Sequence, residues 1–416
     1  MADPATSAPL TRASVQAAHD LVRPFVHHTP TLTNATLTSL ASTARRPEDL
    51  VGTEWEGRAQ PPASPAVRLW FKCENLQRIG AFKVRGAFHA IEKLKQEPGW
   101  LAGGGKEKGV VTHSSGNHAQ ALALAARTNG IPAYIVMPDI SPPAKIAATR
   151  GYGAKVIFSG STSVEREAAA AKVIEETGAR LVPPYDHPDI VLGQGTLGLE
   201  LQEDAARMMT EAESDPPSGK CSFAAPVTKQ ERGERKPEPS SSGAKTKRRN
   251  QLDIILAPCG GGGMLSGVAL SCEGTGVRVF GCEPSFEGAD DAKRGFESGT
   301  RVETVKTLTV ADGLRTPLGR VPWSVIYERR LVEGFYSVTE AEIRDALRLV
   351  LERFKMVIEP SAAVPLAVAL YNEDFRALVE REYGAEGADV GIVFSGGNLN
   401  LEILGSLFGG GESAKN

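Results

Sequence analysis

A chain of 416 residues is long enough for two domains, or for one large domain with insertions. With 47 Lys plus Arg against 50 Asp plus Glu, the formal net charge is only −3, so nothing draws the whole chain to nucleic acid or to an anionic membrane surface. The 41% hydrophobic and 6% aromatic content suits a soluble globular protein, and no apolar run reaches the roughly 18–20 residues of a bilayer span.

Residues 1–15 lack a charged start followed by an apolar stretch, so no signal peptide is expected. The cysteines (Cys73, Cys221, Cys259, Cys272, Cys282) are odd in number and show no C-x-x-C spacing. That argues against a disulfide framework or a zinc site and for reduced thiols in a cytoplasmic protein.

Taken in chain order, 67–71 reads as a strand and 87–95 as a helix. Strand 109–112 runs into helix 118–128, then come strand 133–137, helix 144–150, strand 155–158 and helix 165–177. Later strands are 253–257, 278–282 and 389–394, with a helix over 341–354 among them. This alternation predicts an α/β fold with parallel sheets. Two stretches interrupt it: 44–66, and 209–250, which is rich in Pro, Ser and charge and ends in the basic run 245–249. Both read as mobile surface insertions that bury too little apolar surface to order themselves. The basic run reads as solvated linker, with a nuclear-localisation or anion patch as the alternative.

Four segments could carry chemistry. Lys83 is flanked by Ala81, Phe82 and Val84 and bracketed by Gly80 and Gly86. A partly desolvated lysine has a lowered pKa and can form a Schiff base with an aldehyde. His113-Ser114-Ser115-Gly116-Asn117-His118 stands where a strand becomes a helix, and a helix N-terminus suits a carboxylate. Ser115 and Asn117 could equally be simple caps. Gly260-Gly261-Gly262-Gly263-Met264 follows a strand and can form a nest for an anion. It matches neither a dinucleotide fingerprint nor a P-loop, which points to a single phosphate group; a plain tight turn is the alternative. Ser395-Gly396-Gly397-Asn398 ends the last strand, where ligands of open α/β sheets bind. A lysine for an aldehyde, an Asn for a phenolic oxygen, a nest for one phosphate and a serine for a ring nitrogen describe one cofactor, pyridoxal phosphate.

The stretches FKCENLQRIGAFKVRGAF, THSSGNHAQALALAA, GQGT, GGGGML, EPSAAV and FSGGN span nearly the whole chain outside the two insertions. In them the sequence resembles the serine/threonine dehydratase and serine racemase family, pyridoxal-phosphate enzymes of the tryptophan synthase β fold type. The resemblance implies a two-domain α/β architecture of open parallel sheets with flanking helices. The large domain would comprise 1–100 and 188–416, and a small one 101–187.

It implies a Schiff-base link at Lys83, Phe82 against the ring face and Asn117 on the ring oxygen. Gly260, Gly261, Gly262, Gly263 and Met264 would hold the phosphate. Ser395 would face the ring nitrogen and leave it unprotonated, a weaker electron sink. Ser114, Ser115, Asn117 and His118 would take the substrate carboxylate. Ser115 would be the second acid/base opposite the lysine, so that one site both racemises serine and dehydrates serine or threonine. Glu283, the Ala289 carbonyl and Asp291 would hold Mg²⁺ or Ca²⁺. Their segment carries two extra residues, which leaves Glu287 or Asp290 as substitutes and an ordinary acidic loop as the alternative.

A homodimer is expected, as is the absence of a regulatory C-terminal domain. Some racemase-like members bind ATP at the dimer interface, although no nucleotide motif stands in this sequence. The rival readings are a threo-3-hydroxyaspartate ammonia-lyase, which would need an extra cation, and a catalytically silent amino-acid sensor.

Overall fold

The computed structural model describes residues 4–141, 143–214 and 250–408. Its strands are β1 (Thr31–Thr33), β2 (Val67–Cys73), β3 (Val110–His113), β4 (Ala133–Pro138), β5 (Lys155–Ser159), β6 (Arg180–Leu181), β7 (Ile254–Pro258), β8 (Arg278–Pro284), β9 (Gly334–Val338) and β10 (Ala388–Phe394). Six build one sheet in the order β1-β2-β10-β7-β8-β9, and four build a second in the order β5-β4-β3-β6. The chain thus leaves the first sheet after β2, completes the second, and returns at β7.

All pairings are parallel except β1 with β2, so the larger sheet is mixed where parallel pairing alone was expected. β1 is a three-residue edge strand, too short to show a period in sequence. β7 and β10 are buried along their whole length because helices cover both faces, which is why they read as continuous apolar runs. The helix Pro360–Tyr371 is apolar on every side and packs in the same core.

The helices Lys83–Gln96, Pro188–Ser214 and Gly263–Cys272 meet through glycine. A Cβ on Gly195 would lie 2.5 Å from the Gly267 carbonyl oxygen, and one on Gly267 would lie 2.4 Å from that of Val191. Both neighbours are backbone and cannot step aside. Gly195→Ala is therefore expected to cost about 2–3 kcal/mol, read as a lowered denaturant midpoint at unchanged slope. An unchanged midpoint would refute the close approach.

Under this junction lies a buried ionic cluster. Arg85 reaches Glu74 at 2.8 Å and Glu200 at 2.7 Å, and Lys72 reaches the same Glu200 at 2.7 Å and Asp204 at 3.7 Å. Lys72 and Arg85 are fully buried.

The first insertion differs from expectation. It buries Leu50, Trp55 and Ala63, and the buried Arg376 guanidinium donates to the carbonyls of Ala41, Thr43 and Ala63. The cation ties the end of the segment at Ala63 to the chain just before it, and Glu373 accepts from the Ala63 amide at 2.8 Å. Of the second insertion, 209–214 belongs to the helix ending at Ser214, while 215–249, with the basic run and Cys221, lies outside the described residues. Cys73, Cys259, Cys272 and Cys282 are free and buried, and burial pushes Cys73 and Cys272 up to about 12. No described helix is long and apolar enough to cross a membrane.

Candidate active site

Lys83 opens the helix Lys83–Gln96, four residues before the start expected from periodicity. Its backbone neighbour Phe82 donates to the Ser395 carbonyl at 3.1 Å, and Ala81 pairs with Gly396 in an isolated antiparallel bridge. These contacts bring the lysine segment to the end of β10, in the middle of the larger sheet. The amine donates to the Pro184 carbonyl at 2.8 Å and lies 5.2 Å from the centre of the Phe82 ring. The residue keeps some exposure, but burial of its amine pushes it down to about 8, against a smaller opposing pull from Glu359.

The segment Ser114–Gly116 links β3 to the helix Asn117–Thr128. Gly116 occupies the cap position and no side chain caps the helix, so neither Ser115 nor Asn117 serves as its cap. The Ser114 hydroxyl accepts from the Gly116 amide at 3.3 Å. Buried His118 meets the Val182 carbonyl through Nε2 at 3.2 Å, which places the ring proton there. Its Nδ1 is buried without a partner, and burial with the nearby Lys83 charge pushes the imidazole down to about 3. The ring is therefore neutral and offers a lone pair, so any carboxylate here must rely on hydroxyls and N–H groups.

Gly260–Gly263 leads from β7 into the helix Gly263–Cys272 and leaves no room for side chains. A Cβ on Gly261 would stand 2.4 Å from the Tyr185 ring, and one on Gly262 2.2 Å from Leu318 Cδ1. Gly262 also has φ +80°, which favours glycine. The first N–H groups of the helix, with Met264 among them, have no partner within it. Ser395 is buried at the end of β10.

Three residues given no role from sequence complete the site. Tyr185 follows the carbonyl that receives Lys83, lays its ring on Gly261 and sets its backbone and Cβ against Gly263. Glu359 is buried, and both its oxygens accept from the Asn117 side-chain amide at 3.1 Å. Asn398 donates to the Asn117 side-chain oxygen at 2.8 Å. The clue to Glu359 was a lone acid before proline at the head of an otherwise apolar helix.

Glu283 and Asp291 meet beneath the glycine loop. Glu283 accepts from the amides of Ala292 and Lys293 at 3.1 and 2.8 Å, and burial plus the Asp291 charge pushes it well up. Asp291 is pushed up to about 6, chiefly by burial, and its Oδ1 is buried without a partner. Ala289 is fully buried nearby in the chain. Glu287 is taken by the Leu308 amide and Asp290 by Arg294, so neither is spare to substitute. Among the described residues, no group of three or more His, Cys, Asp or Glu side chains gathers where it could hold a metal. Two mutually repelling buried acids with an orphaned oxygen still suit one oxygen-seeking cation completed by carbonyls and water.

A phosphate-bearing aldehyde suits what is present. The amine is partly desolvated, the cradle excludes every side chain, and an amide of fixed orientation stands at hydrogen-bond reach of Glu359.

The sequence pattern of the pyridoxal-phosphate dependent enzyme family matches residues 59–212 and 244–396. A serine racemase from Arabidopsis thaliana is 37% identical over 404 residues, covering 97% of this chain and 96% of that protein. An L-threo-3-hydroxyaspartate ammonia-lyase from Saccharomyces cerevisiae is 36% identical over 349 residues, covering 83% of this chain and 87% of that protein. The crystal structure of a serine racemase from Dictyostelium discoideum superposes with a TM-score of 0.70 at 33% identity, covering 95% of this chain and all of that one.

Proposed function

The chain belongs to the family of pyridoxal-phosphate dependent enzymes, and on that premise we propose that it racemises serine and dehydrates L-serine and L-threonine. The observation that carries the reading is the buried Lys83 amine, tied through Pro184 and Tyr185 to the glycine loop and through Phe82 to Ser395.

Pyridoxal phosphate, when bound, supplies a sink for the electron pair left at Cα after deprotonation. Lys83 holds it and exchanges the α-proton on one face. Ser115 exchanges a proton on the other face, and giving one back there inverts the centre. When the β-hydroxyl leaves instead, the C–O bond breaks, water departs, and the released enamine hydrolyses to a 2-oxo acid and ammonia. Gly260–Gly263 and Met264 would hold the phosphate, Asn117 would meet the ring oxygen, Ser395 would face the ring nitrogen and Phe82 would pack on the ring. Ser114, Ser115 and Asn117 hold the substrate carboxylate beside a neutral His118.

Residues 101–187 form a small domain that closes over the substrate and excludes water. Lys145 and Asp312, 2.9 Å apart, join the two sides of that cleft. Because Lys145 is spent on Asp312 and Arg315 on the carbonyls of Leu308 and Thr309, a substrate with a single carboxylate is favoured over 3-hydroxyaspartate. Glu283, the Ala289 carbonyl and Asp291 hold Mg²⁺ or Ca²⁺. Chelation is then expected to lower the melting temperature by at least about 3 °C, and Asp291→Asn to abolish that response. An unmoved melting curve would remove the cation from the reading. Free buried thiols fit a cytoplasmic protein, and the family resemblance favours a homodimer with ATP as an effector.

The test is to incubate the purified protein with L-serine, pyridoxal phosphate and Mg²⁺, following D-serine and pyruvate together. Both products support the reading, and pyruvate alone reduces it to a dehydratase. Turnover only of 3-hydroxyaspartate favours the ammonia-lyase alternative, and no turnover of any hydroxy amino acid the silent sensor.

A further inference from the structure

Glu359 is 6% exposed, precedes the apolar helix Pro360–Tyr371, and caps nothing. A buried acid in such a place is costly unless its contacts have a use. Its amide donates to the Gly396 carbonyl at 2.9 Å, and a Cβ on Gly396 would press on its carboxyl at 2.9 Å. The carboxyl is thereby held against Asn117.

An ionised carboxylate only accepts, so it requires the Asn117 NH₂ to face it. The Asn117 oxygen is then turned to Asn398, whose NH₂ donates to it and to the Ile79 carbonyl, each at 2.8 Å. The Asn117 amide is thus fixed from both ends, by the acid on its NH₂ and by Asn398, itself oriented by the Ile79 carbonyl, on its oxygen.

We propose that Glu359 is a positioning residue that fixes the rotation of the Asn117 amide, and so decides which of its atoms meets the ring oxygen of a cofactor held at Lys83. This rests on the cofactor reading above. A protonated Glu359 can donate as well as accept, so it no longer requires the NH₂ to face it, and the amide is then held from the Asn398 end alone. Burial pushes Glu359 up to about 7, Asp312 adds to the rise, and Asn117, Lys145 and the Asn398 backbone oppose it; Lys83 also faces it. Raising pH through neutrality therefore fixes the amide from both ends, and lowering it leaves only the Asn398 end.

The experiment follows the visible absorbance of the full-length protein loaded with pyridoxal phosphate between about pH 6 and 9. The wild type is expected to change the ratio of its absorbing forms with a midpoint about 7. Glu359→Gln should keep the band and lose this transition, and Glu359→Asp should restore it with a shifted midpoint. A wild type silent in this range, or a Glu359→Gln titration superimposable on it, overturns the proposal. Should Glu359→Gln fail to fold, Asn398→Ala removes the bond at the other end of the chain. It should shift the ratio in the direction of acidification, and an unaltered ratio counts against the proposal. A wild type with no visible band would instead sink the Lys83 assignment, which separates the two failures.

Discussion

Replacing Lys83 by alanine is expected to abolish the visible band of bound pyridoxal phosphate and to lower turnover of serine by about 10³-fold or more. The amine is pushed down to about 8, so roughly a tenth of it is free base at pH 7, enough to capture an aldehyde that then draws the equilibrium over. Lys83→Arg should fail equally while keeping the charge, because a guanidinium stays protonated. Equal failure separates loss of the covalent link from loss of a cation. Persistence of the band in either variant would mean that another lysine holds the cofactor.

The second large effect is on the choice between products. Ser115→Ala is expected to suppress formation of D-serine by roughly 10²-fold or more, while pyruvate formation falls by less than about tenfold. Gly116, not Ser115, sits at the helix cap, so removing the hydroxyl leaves the helix start intact. The stability change should stay within about 0.5 kcal/mol. Elimination needs one base to take the α-proton, whereas inversion also needs a donor on the opposite face. Chiral chromatography of serine beside a coupled pyruvate assay reads the two rates from one sample. Equal loss of both would make Ser115 a binding residue rather than a second acid/base.

Legibility from sequence followed length and locality. β7 and β10 announce themselves as mostly apolar runs longer than a turn, and β2 by its apolar stretch Leu69-Trp70-Phe71. β1 and β6 have three and two residues and carry no period, and β9 opens on glycine and alternates too briefly. Lys83, the glycine loop and Ser395 were candidates from sequence because their motifs are local and lie near strand ends. Glu359, Asn398 and Tyr185 were not, since each acts through a residue far away in the chain: Asn117 for the first two, and Gly261 with Gly263 for the third. Trp55 and Ala63 were hidden differently. Their surroundings are polar, and the groups that hold Ala63, Glu373 at its amide and Arg376 at its carbonyl, are distant in the chain.

The cluster of Lys72, Glu74, Arg85, Glu200 and Asp204 constrains how this protein can change over descent. Removing one member strands the charges of the others away from water, at about 3–5 kcal/mol, whereas exchanging the whole set for apolar residues of similar volume can be neutral. Single steps toward an uncharged core therefore pass through variants that fold badly, although the endpoint would fold well. These positions, drawn from β2 and the turn after it, from the helix that begins at Lys83 and from the helix Pro188–Ser214, should be inherited as a block. A homologue that alters Arg85 should carry matching changes at Glu74 and Glu200.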